Sequence, residues 1–166
     1  GKNVGGSLVD DAMISTAKAI MNKARVKGAK LVLPSDALCA RSLKDNTQEG
    51  PFPIEDIPDD LMGLDLGPDS IHRFNSILGN SKTILWNGPM GVFELDGFES
   101  GTRDMAIHLV SCVANGSKVI VGGGDTAAAL EGFGLMKEMT HVSTGGGASL
   151  ELLSGNPLPA ITALER

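Results

Sequence analysis

Residues 118–130 read KVIVGGGDTAAAL: an apolar run, three consecutive glycines, an aspartate, a threonine and an alanine-rich segment. A short run of β-branched residues bounded by glycine is typical of a buried strand, and the segment that follows it favours a helix. The same order recurs at 141–153, HVSTGGGASLELL. The sequence therefore predicts two strand–turn–helix units with glycines at each turn.

Helices and strands alternate outward from these units along most of the chain. The spacing of apolar residues predicts helices at 9–27, 68–78, 101–114, 126–139 and 147–153, and apolar runs predict strands at 30–34, 83–86, 118–121 and 141–143. Apolar strands between helices indicate a parallel sheet with right-handed crossovers. We therefore expect an α/β fold, a three-layer Rossmann-like parallel sheet with helices on both faces. Residues 37–66, with three prolines, are expected to be a long excursion with extended pieces and no second core.

Composition limits the class of protein. The 166 residues suit one domain, and a net charge of −6 argues against a nucleic-acid partner, which would require clustered Lys and Arg. No apolar run is long enough to predict a membrane-spanning helix. The glycine-rich start has no Met and no signal peptide, which we interpret as a fragment or a processed product. Cys39 and Cys112 lie far apart, outside any CxxC motif, and are expected to be buried in a reducing compartment.

The two glycine turns predict a phosphate site. Ligands of an open parallel sheet gather at the carboxyl ends of its strands, where both turns lie. Glycine lets a ligand approach the backbone closely, and each following helix presents unpaired N–H groups and a positive dipole end. Tight turn geometry, with Asp125 as an ordinary N-cap, is the alternative interpretation.

The residues around the first turn favour a magnesium nucleotide over NAD. Gly122-x-Gly124-x-x-Ala127 fits the dinucleotide fingerprint, but the next strand, 141–143, does not end in the acidic residue that would bind the ribose. Asp125 would repel a phosphate unless a cation such as Mg²⁺ lay between them. The chain also has no Gly-Lys-Ser/Thr, so it has no Walker A loop.

Four stretches together resemble the signature of phosphoglycerate kinases. They are GLDLGP at 63–68, WNGPMGVFE at 86–94, VGGGDTAAA at 121–129 and HVSTGGGASLELL at 141–153, and the resemblance covers essentially the whole chain in order. It implies a kinase that interconverts 1,3-bisphosphoglycerate plus ADP with 3-phosphoglycerate plus ATP in glycolysis.

The resemblance also implies what this chain lacks. Residues 1–166 would be one domain, most of the nucleotide-binding C-terminal lobe, truncated at its N-terminal end. The N-terminal substrate lobe, with its basic cluster, would be absent, as would the lysines that reach the triphosphate. We therefore expect the isolated chain to bind Mg-ADP or Mg-ATP weakly and to have no kinase turnover. The full-length enzyme is expected to be a cytoplasmic monomer, with an organellar form left open.

The resemblance assigns roles to individual residues. Gly63, Leu64 and Val92 would line the base, Glu94 would accept ribose hydroxyls, and Asp125 would hold Mg²⁺. The full nucleotide-binding set is Gly63, Leu64, Asn87, Pro89, Gly91, Val92, Glu94, Gly123, Gly124, Asp125 and Thr126. The amides of Gly123, Gly145, Gly146 and Gly147 would form the catalytic set around the transferred phosphoryl group. Asp65 is expected to be a structural hydrogen-bond acceptor.

Several alternatives stay open at this point. Asn87, Gly91 and Glu94 each have a structural interpretation, as a loop acceptor, a turn and a solvated acid. The chain as a whole could be a non-catalytic nucleotide-binding module of the same fold, an NAD-dependent oxidoreductase domain, or a fragment that binds nothing. Titration with nucleotides and NAD, together with a turnover assay, would separate these functions.

Overall fold

The computed structural model describes residues 2–143 and 145–164, and it is built from eight strands and six α-helices within those ranges. The strands are β1 (Asn3–Val4), β2 (Asp36–Ala40), β3 (Glu49–Pro53), β4 (Asp56–Ile57), β5 (Met62–Leu66), β6 (Thr83–Asn87), β7 (Lys118–Gly122) and β8 (His141–Ser143). The helices are α1 (Ile14–Val26), α2 (Pro68–Leu78), α3 (Ser100–Ala114), α4 (Gly124–Gly132), α5 (Gly146–Leu153) and α6 (Pro159–Leu164). Short 3₁₀ turns occupy Asp11–Met13 and Met136–Glu138.

A parallel sheet of order β6-β7-β8 forms one half of the structure, and the α/β class is confirmed. Helices α3 and α4 pack on β7. Residues of this sheet and of these two helices form the main core, among them Trp86, Val119, Val121, Leu109 and Leu130. Strand β6 alternates buried and exposed residues, so that Leu85 on its other face is 45% exposed.

The strand predicted at 30–34 is wrong. These residues pair with no strand in the described part of the chain, and Leu31 and Leu33 stay about half exposed, at 48% and 53%. An apolar run predicts burial, but a strand also needs a neighbour with which to exchange hydrogen bonds. The chain instead forms β2 immediately afterwards.

The excursion at 37–66 has cores of its own, so the prediction of no second core is wrong. Strand β2 is the centre of an antiparallel sheet of order β3-β2-β5, and all five of its residues are buried. Ala37 and Cys39 pack into one apolar cluster, and Leu38 and Ala40 pack into another. The sequence did not predict this sheet, because the segment is rich in proline and because β2, DALCA, is short and made mostly of small residues.

Two predicted helices have different limits in the structure. The first turn of the segment predicted at 9–27 is a 3₁₀ turn capped by the Asp10 carboxylate, which accepts from the Ala12 N–H at 3.0 Å, and α1 begins only at Ile14. The helix predicted at 126–139 ends at Gly132, because Gly134 takes a positive φ of 72° and breaks it.

A buried carboxylate ties the antiparallel sheet to α2. Asp36 accepts hydrogen bonds from the Ser70 hydroxyl at 2.5 Å, the Ser70 N–H at 2.8 Å and the Asp69 N–H at 3.1 Å. Burial alone would raise the pKa of Asp36, but these bonds and a contact from Ser35 outweigh it, and the pKa lies below its ordinary value. Asp36 therefore satisfies the open N-terminus of α2.

Both cysteines are buried and free, as predicted. Burial raises the pKa of the Cys39 thiol, assisted by Glu49, and burial alone raises that of Cys112. Among the described residues, no helix has the length and apolar character needed to cross a membrane.

Candidate functional site

Both glycine turns lie on one rim of the parallel sheet. The strand register pairs Asn87 with Gly122 and Gly122 with Ser143, so the three strands end side by side. The Gly123 N–H donates to the Ser143 carbonyl at 3.2 Å. The turns that follow β7 and β8 therefore face the same space, as the sequence predicted.

The two turns touch through glycine backbone. A Cβ atom on Gly146 would lie 2.7 Å from Gly123 Cα and 3.0 Å from Gly123 N, closer than ordinary contact allows. Gly123 also has a φ of +98°, which side chains rarely tolerate. Glycine is required at 123 by conformation and at 146 by the close approach of the other turn.

The start of α4 offers backbone donors and a carboxylate to the same space. The Ala127 N–H is bonded to Gly123 O at 3.1 Å, whereas the N–H groups before it precede the helical hydrogen-bond pattern. Asp125 is exposed in this first turn. The N-cap is Gly123, and no side-chain cap hydrogen bond forms in the described structure, so the interpretation of Asp125 as an N-cap is wrong.

The donor set at this turn fits Mg²⁺ held between protein and phosphate. Among the described residues no three His, Cys, Asp or Glu side chains cluster to enclose a metal ion. Mg²⁺ is commonly held by one or two carboxylates, with phosphate oxygens and water completing its shell, and Asp125 supplies one carboxylate. An exposed aspartate beside open N–H groups suits that arrangement.

Thr126, predicted to contact phosphate, lies at the start of α4, and its side chain holds the loop after β6. Its side chain is fully buried, and its hydroxyl oxygen accepts the Gly88 N–H at 2.8 Å. Any contact of Thr126 with phosphate would have to use its backbone N–H. Its hydroxyl instead connects the start of α4 to the loop after β6.

That loop, residues 88–92, is held largely by side chains and by strand β5. The Trp86 indole N–H donates to the Gly88 carbonyl at 2.7 Å. The Thr102 hydroxyl oxygen accepts the N–H groups of Met90 at 3.0 Å and Gly91 at 3.3 Å. The Val92 N–H donates to the Leu64 carbonyl at 2.9 Å. The sequence did not predict the contacts of Thr102 and Thr126 with this loop, because the partners are 11 to 38 residues apart in the chain.

Asp65 packs against Gly91 of this loop and is a structural hydrogen-bond acceptor, as predicted. Its carboxylate accepts the Gly101 N–H at 2.7 Å, the Leu66 N–H at 2.8 Å and the Ser100 hydroxyl at 3.1 Å. Burial raises the pKa of Asp65, although these hydrogen bonds oppose the rise. A side chain on Gly91 would collide with this carboxylate, so Gly91 has a packing role.

A cleft of about 270 Å³ lies on the other side of the loop. Gly63, Leu64 and Val92, which were predicted to line a base, all line it. Its other walls are Ser7, Leu8, Leu43 and Met62, which sequence reasoning missed. No signal in the sequence marked these four residues, and the exposure of Leu8, 93%, is known only from the structure.

The remaining predicted residues lie along the rim. The Asn87 Oδ1 atom would lie 3.2 Å from a Cβ on Gly123 and 3.7 Å from one on Gly146, so Asn87 lies beside both turns. Pro89 is half-buried in the loop, and Glu94 is exposed beyond it. Gly145 and Gly147 flank Gly146 at the start of α5. Thr144, within the second glycine motif, lies outside the described residues.

Comparison with known proteins identifies close relatives. The sequence profile described as phosphoglycerate kinase matches residues 1–156. The chain is 49% identical over 165 residues to "Phosphoglycerate kinase 3, cytosolic" of Arabidopsis thaliana and 48% identical to "Phosphoglycerate kinase, cytosolic" of Nicotiana tabacum. In both alignments 99% of this chain is covered, but only 41% of the relative.

Solved structures agree in fold. The phosphoglycerate kinase of Coxiella burnetii matches 98% of this chain with a TM-score of 0.89 and 37% identity, over 41% of its own length. That of Pyrococcus horikoshii matches with a TM-score of 0.63 at 23% identity, a likeness of fold alone. This chain therefore spans about two fifths of the length of the proteins it matches.

Proposed function

The chain belongs to the phosphoglycerate kinase family, and from that premise we propose that it is most of the nucleotide-binding lobe of such a kinase. Residues 1–166 act as one domain that binds Mg-ADP or Mg-ATP. The complete enzyme would transfer a phosphoryl group between 1,3-bisphosphoglycerate and ADP, with a further N-terminal lobe supplying the glycerate site.

One observation carries the proposal: the contact between Gly123 and Gly146, which places two helix N-termini and Asp125 at one point. Phosphoryl transfer needs positioning and charge stabilisation more than covalent chemistry, and backbone N–H groups with a metal ion supply both. The amides of Gly123, Gly145, Gly146 and Gly147 would bind the transferred group, with Gly124 and Thr126 contributing their amides to the other phosphates.

The cleft at Gly63, Leu64 and Val92 suits the base of the same nucleotide. It is lined by leucine, methionine and valine side chains, and an adenine ring would bury apolar surface there. Glu94 would accept the ribose hydroxyls, and Asn87 and Pro89 would border the path to the phosphates. Gly91 would serve this site indirectly, through its close packing on Asp65.

The same premise leads to further proposals about the whole protein. Mg²⁺ would be held by Asp125 together with nucleotide phosphate. We place the full-length enzyme in the cytosol, in line with the names of the plant relatives, and propose that it acts as a monomer without nucleic-acid or membrane partners. We also propose that the isolated chain has no turnover, because the glycerate site would belong to the further N-terminal lobe.

Calorimetric titration of this chain with ADP, with and without Mg²⁺, tests the proposal. We expect binding that Mg²⁺ strengthens, and Asp125→Asn should remove that dependence and weaken Mg-ADP at least about tenfold, the effect of losing a charge-assisted contact. Asp69→Asn is the matched control, because Asp69 is also an exposed aspartate in the first turn of a helix.

The outcomes separate the competing functions. NAD binding tighter than ADP binding would favour an oxidoreductase domain, and no binding of either would favour a fragment without a ligand. A coupled assay of the isolated chain that gave turnover well above background would contradict the proposed inactivity. If the full-length protein bound Mg-ADP without turnover, the non-catalytic module would be the correct function.

A further inference from the structure

Thr102 is a buried polar residue to which neither the sequence motifs nor the comparisons assign a role. It lies in the first turn of α3, and its side chain is fully buried. Its hydroxyl oxygen accepts two consecutive backbone N–H groups of the loop after β6, those of Met90 and Gly91. A single side-chain atom thus fixes the orientation of two neighbouring peptide groups.

These contacts are part of a ring of hydrogen bonds that connects the loop after β6 to Leu64, a residue that lines the base cleft. Asp65 in β5 holds the start of α3 through the Gly101 N–H, and α3 carries Thr102. Thr102 holds Met90 and Gly91, and the next amide, that of Val92, returns to the carbonyl of Leu64, the residue before Asp65. The hydrogen bonds in this set join residues 11 to 36 positions apart, and short stretches of chain complete it.

Apart from Thr102, hydrogen bonds connect this loop to the rest of the described structure at Gly88 and Val92. Its own backbone bonds, Phe93 N–H to Gly91 O and Leu95 N–H to Val92 O at 2.9 Å each, are local turns that do not fix it to the sheet. Residues 90 and 91 lie between Pro89 and Val92, two residues of the proposed nucleotide site. The position of those two residues therefore depends on how the peptides at 90 and 91 are held.

We propose that Thr102 is a positioning residue for the nucleotide, acting through Met90 and Gly91 on the flanking residues Pro89 and Val92. The inference rests on the proposed function, because it needs a nucleotide in the cleft. Thr102 itself is buried under the loop, and its effect on the nucleotide is exerted through the backbone it holds.

Three substitutions test this role in the full-length protein that carries the sequence. Thr102→Val keeps the shape and removes the acceptor, Thr102→Ser keeps the acceptor and removes a methyl group, and Thr102→Cys replaces the oxygen with a weak acceptor. We expect Thr102→Val to raise the Kd and KM for Mg-ADP roughly tenfold, with Thr102→Ser close to wild type and Thr102→Cys in between. The KM for the phosphoglycerate substrate should not change.

Ser70→Ala is the matched structural control. Ser70 is also fully buried, and its hydroxyl oxygen also accepts two consecutive backbone N–H groups, those of Ser35 at 2.9 Å and Asp36 at 3.1 Å. Removal of either hydroxyl leaves two backbone N–H groups without their acceptor, so both variants should have a lower melting temperature than the wild type. Only Thr102→Val should weaken nucleotide binding, measured well below the melting temperature of each variant.

The outcomes distinguish the two proposals. If the wild-type protein does not bind Mg-ADP, the proposed function fails. If it binds, and Thr102→Val binds equally well or Ser70→Ala loses as much affinity, the positioning role of Thr102 is overturned. Should Thr102→Val not fold, Thr102→Cys decides: affinity equal to that of Thr102→Ser overturns the inference, and weaker affinity supports it.

Discussion

A single methyl group on Gly146 should separate the two glycine turns. Gly146→Ala places a Cβ 2.7 Å from Gly123 Cα and 3.0 Å from Gly123 N, whereas ordinary contact begins at 3.4 Å. The obstructing atoms are backbone on the neighbouring turn, so no side chain can rotate away. The start of α5 must therefore move by about 0.7 Å or more, the shortfall against ordinary contact.

The size of this movement sets the expected effect. A hydrogen bond from a backbone N–H to a charged phosphate contributes roughly 1.5–3 kcal/mol, so a shift that breaks one such bond predicts a ten- to hundredfold weaker Kd for Mg-ADP. Overpacking at one site destabilises by about 1–3 kcal/mol, which in a chain of this size lowers the melting temperature by roughly 2–12 °C. The variant should remain folded at 20 °C.

Calorimetry with Mg-ADP and with adenosine separates the phosphate end from the base end. We expect Gly146→Ala to weaken Mg-ADP and to leave adenosine binding unchanged, since the cleft at Gly63 and Val92 is lined by other elements. Gly132→Ala is the control: it also adds a methyl group to a helical glycine, but among the described residues no atom outside its own helix backbone and chain neighbours lies within 4 Å of the new Cβ. It should bind both ligands like the wild type.

Two results would refute this reasoning. One is a folded Gly146→Ala variant that binds Mg-ADP as tightly as the wild type, because the contact between the turns would then have no bearing on the phosphates. The other is an equal loss of adenosine and Mg-ADP affinity, which would mean that the substitution disturbs the whole site and not the two helix starts.

Two further predictions concern stability and association. Asp36 has a folded-state pKa below its ordinary value of 3.8, so its stabilising contribution is present above about pH 4 and is lost as the pH falls through the folded value. The difference in unfolding free energy between wild type and Asp36→Asn, from urea denaturation, should therefore be constant above about pH 4 and shrink as the pH falls below that value; a difference that stays constant below about pH 4 would contradict this. The isolated chain should self-associate in sedimentation velocity, because Leu85 on β6 and Ile20 on α1, 45% and 55% exposed, leave apolar surface open. Leu85→Lys should reduce the association, and a monomeric wild-type chain would contradict the prediction.

The strand–turn–helix units could be read from sequence because their signals are local. The apolar run at 118–121 and the glycines after it specify a strand, a turn and a helix start within a dozen residues, and the structure has all three. The motif at 141–153 has the same property. Parallel pairing then requires both turns to lie on one rim, so the geometry of the phosphate end followed from pattern alone.

The errors arose where a residue's environment depends on distant partners. The run at 30–34 is apolar enough for a strand, but β2 forms at 36–40 because there it has neighbours on both sides, β3 and β5. The hydroxyl of Thr126 likewise accepts from the amide of Gly88, 38 residues earlier in the chain, and the sequence did not predict this contact. Neither feature is encoded in local composition.

The same distinction explains how the site is built. The groups proposed to bind the nucleotide are mostly backbone amides, many of them in glycines. The orientation of such an amide is not determined by a side chain of its own residue. Buried side chains fix that orientation: Asp65 holds α3, Thr102 holds residues 90 and 91, and Thr126 holds residue 88. Substitution of a buried core residue can therefore reduce the affinity of a site that is made of backbone groups. Substitutions at these buried residues should change affinity through geometry, while leaving the charge at the rim unchanged.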